Sequence, residues 1–305
     1  MSQASKYLVV IAGPTAVGKT DLGIQLAKHY GSVILSADSR QFYKELTIGT
    51  AKPSENELAE VKHYFINNKN ITELFGAGHF EKEAIPLLDN LFKEHQLVFV
   101  VGGSGLYIDA LLYGVDEFED VPLEVREKLN AEFEEKGIEP LQTELKEKDP
   151  SYAAKVDLDN SQRVIRALEV CRYSGKPYSS FLKKNSVERN FKAIKLFINT
   201  GREKLYDRIN TRVDDMMKQG LLNEVKNLTA FKNTNALKTV GYKELFDHLD
   251  GLCTLEEAVD KIKQHSRNYA KRQITWFKNR DEWENFEPNE IEKIKAYLDV
   301  IISHS

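Results

Sequence analysis

A glycine-rich pattern near the start of the chain places the tightest limit on its fold. The apolar run Tyr7–Ala12 leads into a segment with two glycines separated by four residues, followed by lysine and threonine. This spacing lets successive backbone amides point at one anion, while the lysine supplies a charge and the threonine a hydroxyl for Mg²⁺. The dipole of the next helix favours the same phosphates. We therefore predict a strand, a phosphate loop and a helix, with the diphosphate or nucleotide bound by Gly13, Pro14, Thr15, Ala16, Val17, Gly18, Lys19 and Thr20.

The composition predicts a soluble globular protein without a membrane partner. It has 41% hydrophobic and 30% charged residues, and its apolar runs are far shorter than the roughly 18 residues that cross a bilayer. No secretory signal precedes the first strand, and Cys171 and Cys253 lack metal-ligand spacing, so we expect the reducing cytoplasm. Because the net charge is −4, any attraction to nucleic acid must be local.

Short apolar runs alternate with amphipathic helical patterns through much of the chain. The alternation is typical of an α/β fold with a parallel sheet flanked by helices, here of the P-loop NTPase-like type. The predicted strands are residues 7–12, 32–37, 97–101 and 193–198.

The middle of the chain differs from this pattern. Residues 116–190 contain charged helical sequence without a comparable strand, which predicts a helical insertion domain. Residues 1–115 and 191–305 are then the catalytic core, and the pattern is helical from residue 201 to the end.

Two polar side chains follow predicted strands. Ligands of open α/β sheets bind outside the carboxyl ends of the strands, where Asp38 and Ser104 would meet the phosphate loop. Each residue also has a structural alternative, because Asp38 can serve as a turn residue and Ser104 as the cap of the next helix.

The strand ends also bear on the type of reaction. An NTP-hydrolysing enzyme of this fold needs an acidic residue at the end of a strand to hold Mg²⁺ and orient water. The best such strand here ends in Gly102 and Gly103 instead. Although Asp38 could serve the metal, the pattern favours a transferase whose donor is a phosphate ester or a diphosphate.

Positive charge is concentrated near the end of the chain. Residues 261–280 contain seven lysines and arginines and no acidic residue. On a helix, Lys263, Arg267, Lys271 and Lys278 share one face, with an apolar stripe of Ile262, Tyr269 and Trp276 nearly opposite. Such a face is often only solvated, but it also suits salt-dependent contacts with the phosphates of a polyanion.

A second cluster lies within the predicted insertion. Gln162, Arg163 and Arg166 fall on one side of a helix, opposite Val164 and Leu168. These groups can form structural salt bridges at a domain junction, or they can contact RNA.

Together with the phosphate loop, several further segments resemble one family, the tRNA dimethylallyltransferases or IPP transferases. The segments occur in the family's order, at residues 38–41, 48–53, 102–107, 162–166, 240–244 and 271–277. The resemblance implies that a prenyl group moves from dimethylallyl diphosphate to N6 of the adenosine immediately 3′ of the tRNA anticodon. The bound diphosphate is then a leaving group.

The resemblance also implies catalytic roles. Asp38 occupies the position of the family's general base, and the leaving diphosphate would be stabilised by the loop amides, Lys19, Arg212 and Mg²⁺ held partly by Thr20. Ser104, where the family often has threonine, would complete the catalytic site together with Thr15.

The target adenosine must leave the anticodon stack to reach such a base. The resemblance implies that the helical insertion and the basic helix hold the anticodon stem-loop. The implied tRNA contacts are Asp38, Ser39, Arg40, Gln41, Gln162, Arg163, Val164, Ile165, Arg166, Lys271, Arg272, Gln273, Ile274, Thr275, Trp276 and Phe277. We expect a monomeric, bacterial-type enzyme without the C-terminal zinc finger of eukaryotic relatives.

Three alternatives account for parts of the sequence. A small-molecule P-loop kinase would use the phosphate loop and Asp38 but not the basic helix. An adenylate prenyltransferase shares the N-terminal motifs yet has no need of residues 162–166 or 271–277. An RNA-binding module without catalysis would leave the phosphate loop without a role.

Overall fold

The computed structural model describes residues 5–116, 118, 121–182, 187–280 and 282–303. The chain forms two compact units, one of residues 1–113 and 188–305 and one of residues 114–187. Each is described by itself below.

The larger unit is built on a parallel sheet. Its strands in the described ranges are Tyr7–Ala12 (β1), Ile34–Ala37 (β2), His63–Tyr64 (β3), Leu97–Gly102 (β4), Lys192–Ile198 (β5) and Glu284–Phe286 (β6). They lie in the order β3-β2-β4-β1-β5-β6, and each neighbouring pair is parallel. Strand β1 is buried along its whole length, which is why its sequence is continuously apolar rather than alternating.

The prediction of a parallel α/β sheet is confirmed, with two omissions. All four predicted strands are present, and their ends differ from the prediction by no more than two residues. The edge strands β3 and β6 were not predicted, so the expectation of purely helical structure after residue 201 is wrong at Glu284–Phe286. Both are two or three residues long and incompletely buried, which is too short for a periodic pattern.

Helices cover the sheet of the larger unit. Helix α1 packs against β4, where Gly23 allows a close approach to Val101. The helices are Lys19–His29 (α1), Glu55–Glu60 (α2), Ala77–Leu91 (α3), Gly105–Tyr113 (α4), Arg202–Gln219 (α9), Leu221–Asn227 (α10), Tyr242–Leu249 (α11), Leu255–Lys278 (α12) and Ile291–Ser303 (α13). In the described part of the chain, no helix combines the length and the apolar character needed to span a membrane.

In its described residues, the smaller unit contains helices joined by loops and no β-strand. Its core is formed by residues such as Leu129, Leu145 and Leu168, which are fully buried. Its helices are Leu123–Lys136 (α5), Glu139–Lys148 (α6), Pro150–Ala153 (α7) and Ser161–Ser174 (α8).

The strand order determines where polar groups of the larger unit converge. Strand β4 lies between β1 and β2, and the register aligns Gly102 with both Ala12 and Ala37. The three turns that follow these residues therefore lie side by side. The phosphate loop, Asp38 and Ser104 therefore lie together at the carboxyl ends of the strands.

Candidate active site

The phosphate loop has a backbone that two glycines make possible. Gly13 has φ +156°, and a Cβ built on it would lie 2.2 Å from the Ile198 carbonyl oxygen of β5. Gly18 has φ +106° and is the N-cap of α1. Because side chains are excluded at the first position and disfavoured at the second, the loop can curl tightly into the start of the helix.

Lys19 lies inside this loop. Its Nζ donates to the Pro14 carbonyl oxygen at 2.7 Å. Burial, reinforced by the nearby Arg212 guanidinium, lowers the pKa of Lys19 to about 7, and the Asp38 carboxylate opposes this shift. An anion placed in the loop would restore the charged form of this amine.

Asp38 combines the two roles considered from the sequence. Its Oδ1 accepts a hydrogen bond from the Arg40 amide at 2.9 Å, so the carboxylate does cap the turn after β2. Asp38 also lines both of the cavities described below. The turn contact therefore orients the carboxylate without removing it from the site.

Helix α9 brings two arginines to the phosphate loop, one turn apart. Arg208 donates from Nη1 to the Val17 carbonyl oxygen at 2.9 Å, and the Nη1 of Arg212 lies 3.4 Å from the Thr15 hydroxyl. Burial lowers the pKa of Arg212, and Asp38 again opposes the shift. The predicted Arg212 is thus in the site, although it lies far from the loop in sequence.

Ser104 is held by its neighbours. Its Oγ accepts a hydrogen bond from the Ser39 amide at 2.9 Å. Tyr269 was predicted to belong to a packing stripe, but it lines both cavities, and burial raises its pKa to about 12. The prediction of simple packing is therefore wrong for this residue.

Two cavities meet at the carboxyl ends of the strands. The residues that line both are Thr15, Ala16, Asp38, Thr50, Ala51, Arg212 and Tyr269. The first has a volume of about 230 Å³, and its lining includes Thr15, Gly18, Lys19, Thr20, Ile34, Ser36, Asp38, Gln41, Val101, Gly103, Arg212, Tyr269 and Gln273. The second has a volume of about 490 Å³, and its lining includes Thr15, Asp38, Ser39, Arg40, Gly49, Arg212, Lys238, Gly241, Lys243, His265, Tyr269 and Arg272.

The loop of residues 47–51 forms part of both walls, and it depends on a residue that sequence reasoning missed. The Glu224 carboxylate accepts hydrogen bonds from the backbone amides of Thr47, Ile48 and Gly49 and from the Tyr242 hydroxyl, at 2.6 to 3.2 Å. Glu224 lies on α10, outside every recognised segment, so its sequence context carried no signal of this role.

The turn after β2 is also internally bonded. Gln41 accepts from the Ser36 hydroxyl at 3.0 Å and donates to the carbonyl oxygens of Thr50 and Ala51 at 3.3 and 3.2 Å. Arg40 and Ser39 line the second cavity. The structure therefore uses Gln41 to hold the loop of residues 47–51 in place.

The basic face predicted for α12 is only partly free. Lys263 pairs with Asp214 and Arg267 donates to Asn210, both at 2.6 Å, so these two side chains contact α9 rather than forming a free basic face. Gln273 and Phe277 are buried, and Ile274 and Trp276 are partly buried. Within residues 271–277, the exposed residues are Lys271, Arg272 and Thr275.

Among the predicted RNA contacts of the smaller unit, some residues are exposed and others are buried. Gln162 and Arg163 are exposed on α8, whereas Val164 and Ile165 are buried in its core. Arg166 pairs with Glu169 at 3.0 Å and lies over the Phe118 ring. The buried pair supports the helix, so contact of those two side chains with RNA is not possible in this conformation.

Comparisons with known proteins agree with this arrangement of motifs. A family model described as IPP transferase matches residues 41–280. A tRNA dimethylallyltransferase of Cytophaga hutchinsonii is 48% identical over 299 residues, covering 98% of each chain, and that of Flavobacterium psychrophilum is 51% identical over 278 residues, covering 89% of this chain and 91% of the relative. The chain belongs to the IPP transferase family.

Solved structures support the same assignment. A full-length tRNA isopentenylpyrophosphate transferase of Bacillus halodurans matches with a TM-score of 0.72 at 35% identity, covering 98% of both chains. A eukaryotic dimethylallyltransferase acting on tRNA matches with a TM-score of 0.79 at 26% identity, covering 94% of this chain and 75% of that one. The fold of this IPP transferase is therefore shared with structures of the family.

The contacts of Glu224 predict a large effect on stability. Glu224→Ala removes the acceptor for three backbone amides, and we expect it to lower the free energy of unfolding by about 2 kcal/mol, because hydrogen bonds to a charged group are strong. Urea unfolding measures this change. Glu203→Ala, at an exposed position of α9, should change it by less than about 0.5 kcal/mol. An equal loss in both variants would contradict the assigned role.

Proposed function

We propose that this chain transfers the dimethylallyl group of dimethylallyl diphosphate to N6 of the adenosine 3′-adjacent to the anticodon of tRNA, giving N6-isopentenyladenosine. One observation carries the proposal: Asp38 lines both the cavity at the phosphate loop and the larger cavity beside it. A carboxylate in that position can serve a donor in one cavity and an acceptor in the other.

The first cavity suits the diphosphate of the donor. The curled loop and the start of α1 direct backbone amides and a helix dipole at one place, with Lys19 beside them. β4 ends in glycine rather than in an acidic residue that would orient water. We therefore assign the bound group as a leaving group and not as a nucleotide that is hydrolysed.

The second cavity suits an adenosine that has left the anticodon stack. Its lining carries several cations, Arg40, Lys238, Lys243 and Arg272, which can neutralise RNA phosphates. Part of its lining is shared with the first cavity, including Asp38 and Arg212. An exocyclic amine that enters from this side would meet both Asp38 and the donor carbon.

The chemical step balances with the groups that are present. The adenine N6 lone pair forms a bond to C1 of the prenyl group while the bond from C1 to the diphosphate oxygen breaks. Asp38 takes the N6 proton, which is necessary because the amine's lone pair is delocalised into the ring. Charge on the departing diphosphate is stabilised by the loop amides, Lys19 and Arg212.

A magnesium ion fits this donor set. In the described ranges, no group of three or more His, Cys, Asp or Glu side chains could hold a metal by itself, and Mg²⁺ is commonly bound through few protein ligands together with substrate phosphates. Thr20 offers a hydroxyl oxygen in the first cavity. When bound, the ion would supply positive charge to the leaving group.

The exposed polar residues of two helices are our candidate contacts with the anticodon stem-loop. They are Lys271 and Arg272 on α12, and Gln162 and Arg163 on α8. We propose that the enzyme acts as a monomer. We propose the cytoplasm as its location, because a tRNA-modifying enzyme must meet its tRNA substrate there.

The reaction itself tests the function. The protein is incubated with Mg²⁺, labelled dimethylallyl diphosphate and either an unmodified anticodon stem-loop or AMP, and the nucleosides are analysed by mass. We expect prenyl-adenosine in the stem-loop alone. Product on AMP alone would indicate an adenylate prenyltransferase, and no product on either would require a test of kinase activity with ATP.

Asp38→Asn tests the general base while preserving the turn, since asparagine can still accept from the Arg40 amide. We expect kcat to fall by at least about 10²-fold, the usual scale of general acid–base catalysis. Stem-loop affinity, measured in parallel by fluorescence anisotropy, should change less than about twofold. A near-normal kcat would remove Asp38 from the proton transfer.

The pKa of Lys19 predicts a pH dependence. With its pKa lowered to about 7, the Lys19 amine of the free enzyme would be mostly neutral at pH 8. Bound diphosphate would favour the charged form. Binding of pyrophosphate at pH 8 should therefore take up a proton, and affinity should fall as the pH rises above 7. Calorimetry in two buffers of different ionisation enthalpy measures the uptake. Lys19→Arg stays charged, so an uptake equal to that of the wild type would contradict the assignment.

A further inference from the structure

Gln273 makes two contacts that its place in a surface helix does not suggest. Its Oε1 accepts a hydrogen bond from the Thr15 amide at 2.8 Å, and its Nε2 donates to the Gly103 carbonyl oxygen at 2.9 Å. The residue is only 6% exposed. One side-chain amide therefore connects the turn after β1 to the turn after β4.

The fit between Gln273 and the second turn is close. A Cβ built on Gly103 would lie 2.2 Å from the Gln273 Nε2 atom. Any side chain at position 103 would push this amide away from the carbonyl that it contacts. The hydrogen bond of Gln273 therefore requires glycine at position 103, although the two residues are separated by 170 positions in the sequence.

The contact has a consequence for Thr15. The Thr15 amide points to Gln273, while its hydroxyl lies 3.4 Å from Arg212. Thr15 also lines both cavities. Gln273 therefore holds the backbone of the residue whose hydroxyl lies beside Arg212.

The surroundings of Gln273 differ from those of its neighbours on α12. Lys271 and Arg272 are exposed, whereas Gln273 lines the first cavity beneath the phosphate loop. The family resemblance assigned all three residues to tRNA contacts. Burial and hydrogen bonding give the glutamine a different environment from that of the two cations.

We propose that Gln273 is a positioning residue for the diphosphate site and not a contact for tRNA. It holds the turns at Thr15 and Gly103 in register, so that the loop amides and Arg212 are already arranged when the donor binds. The assignment rests on the proposed function, since it takes the anion in the loop to be the diphosphate of a prenyl donor.

Gln273→Met tests this role, because methionine has a similar length and volume but neither the donor nor the acceptor. Pyrophosphate affinity is measured by calorimetry in the presence of Mg²⁺, and stem-loop affinity by fluorescence anisotropy. We expect pyrophosphate to bind at least tenfold more weakly and the stem-loop to bind within twofold of wild type. The matched control is Gln264→Met, the same change at an exposed position of α12, which should alter neither affinity by more than twofold.

Two results would overturn the assignment. One is unchanged pyrophosphate affinity in Gln273→Met. The other is a loss of stem-loop affinity, alone or together with the loss for pyrophosphate, because a positioning residue beneath the loop should not affect tRNA binding.

A measurement on the wild type covers the case in which the variant does not fold. Amide hydrogen exchange by NMR should show the Thr15 N–H protected in the free protein, with its rate changed less than twofold by pyrophosphate. Rapid exchange of this amide in the free protein would overturn the assignment. These readouts measure binding and exchange, so a wild type that transfers no prenyl group would refute the proposed function while leaving the role of Gln273 testable.

Discussion

The close approach of the turn after β1 to the backbone of β5 is the constraint on which the site depends. Only glycine is accommodated at Gly13, because a Cβ there would meet the Ile198 carbonyl oxygen at 2.2 Å. Side chains from distant helices then hold the loop that follows. Arg208 donates a hydrogen bond to the Val17 carbonyl oxygen, and Gln273 accepts one from the Thr15 amide. Its shape is therefore fixed before a ligand binds, which is the condition for effective electrostatic stabilisation of a leaving group.

The strands that could be predicted from the sequence are those that are buried along most of their length. β1 and β4 are buried on both faces, so their sequences are continuously apolar and identify parallel strands. β3 and β6 are short edge strands whose formation depends on their neighbours β2 and β5, and no local pattern indicated them. The amphipathic prediction for α12 failed at Lys263 and Arg267 because contacts with α9 use part of the basic face.

The site was predictable only in part, for a related reason. Residues at strand ends, such as Asp38 and Ser104, could be placed from the topology rule for open sheets. Glu224 and Tyr269 could not, because each acts through contacts with segments far away in sequence. The family resemblance named the segment that contains Gln273, but a segment does not show which of its side chains face inward.

The central claim is that donor and acceptor meet at Asp38 from two sides. A crystal structure with an unreactive thio analogue of dimethylallyl diphosphate and an anticodon stem-loop measures this most directly. The account predicts the diphosphate in the phosphate loop, the adenine in the second cavity, and its N6 within hydrogen-bond distance of the Asp38 carboxylate and in line with C1 of the donor. An adenine bound elsewhere, or an N6 atom out of reach of Asp38, would contradict it.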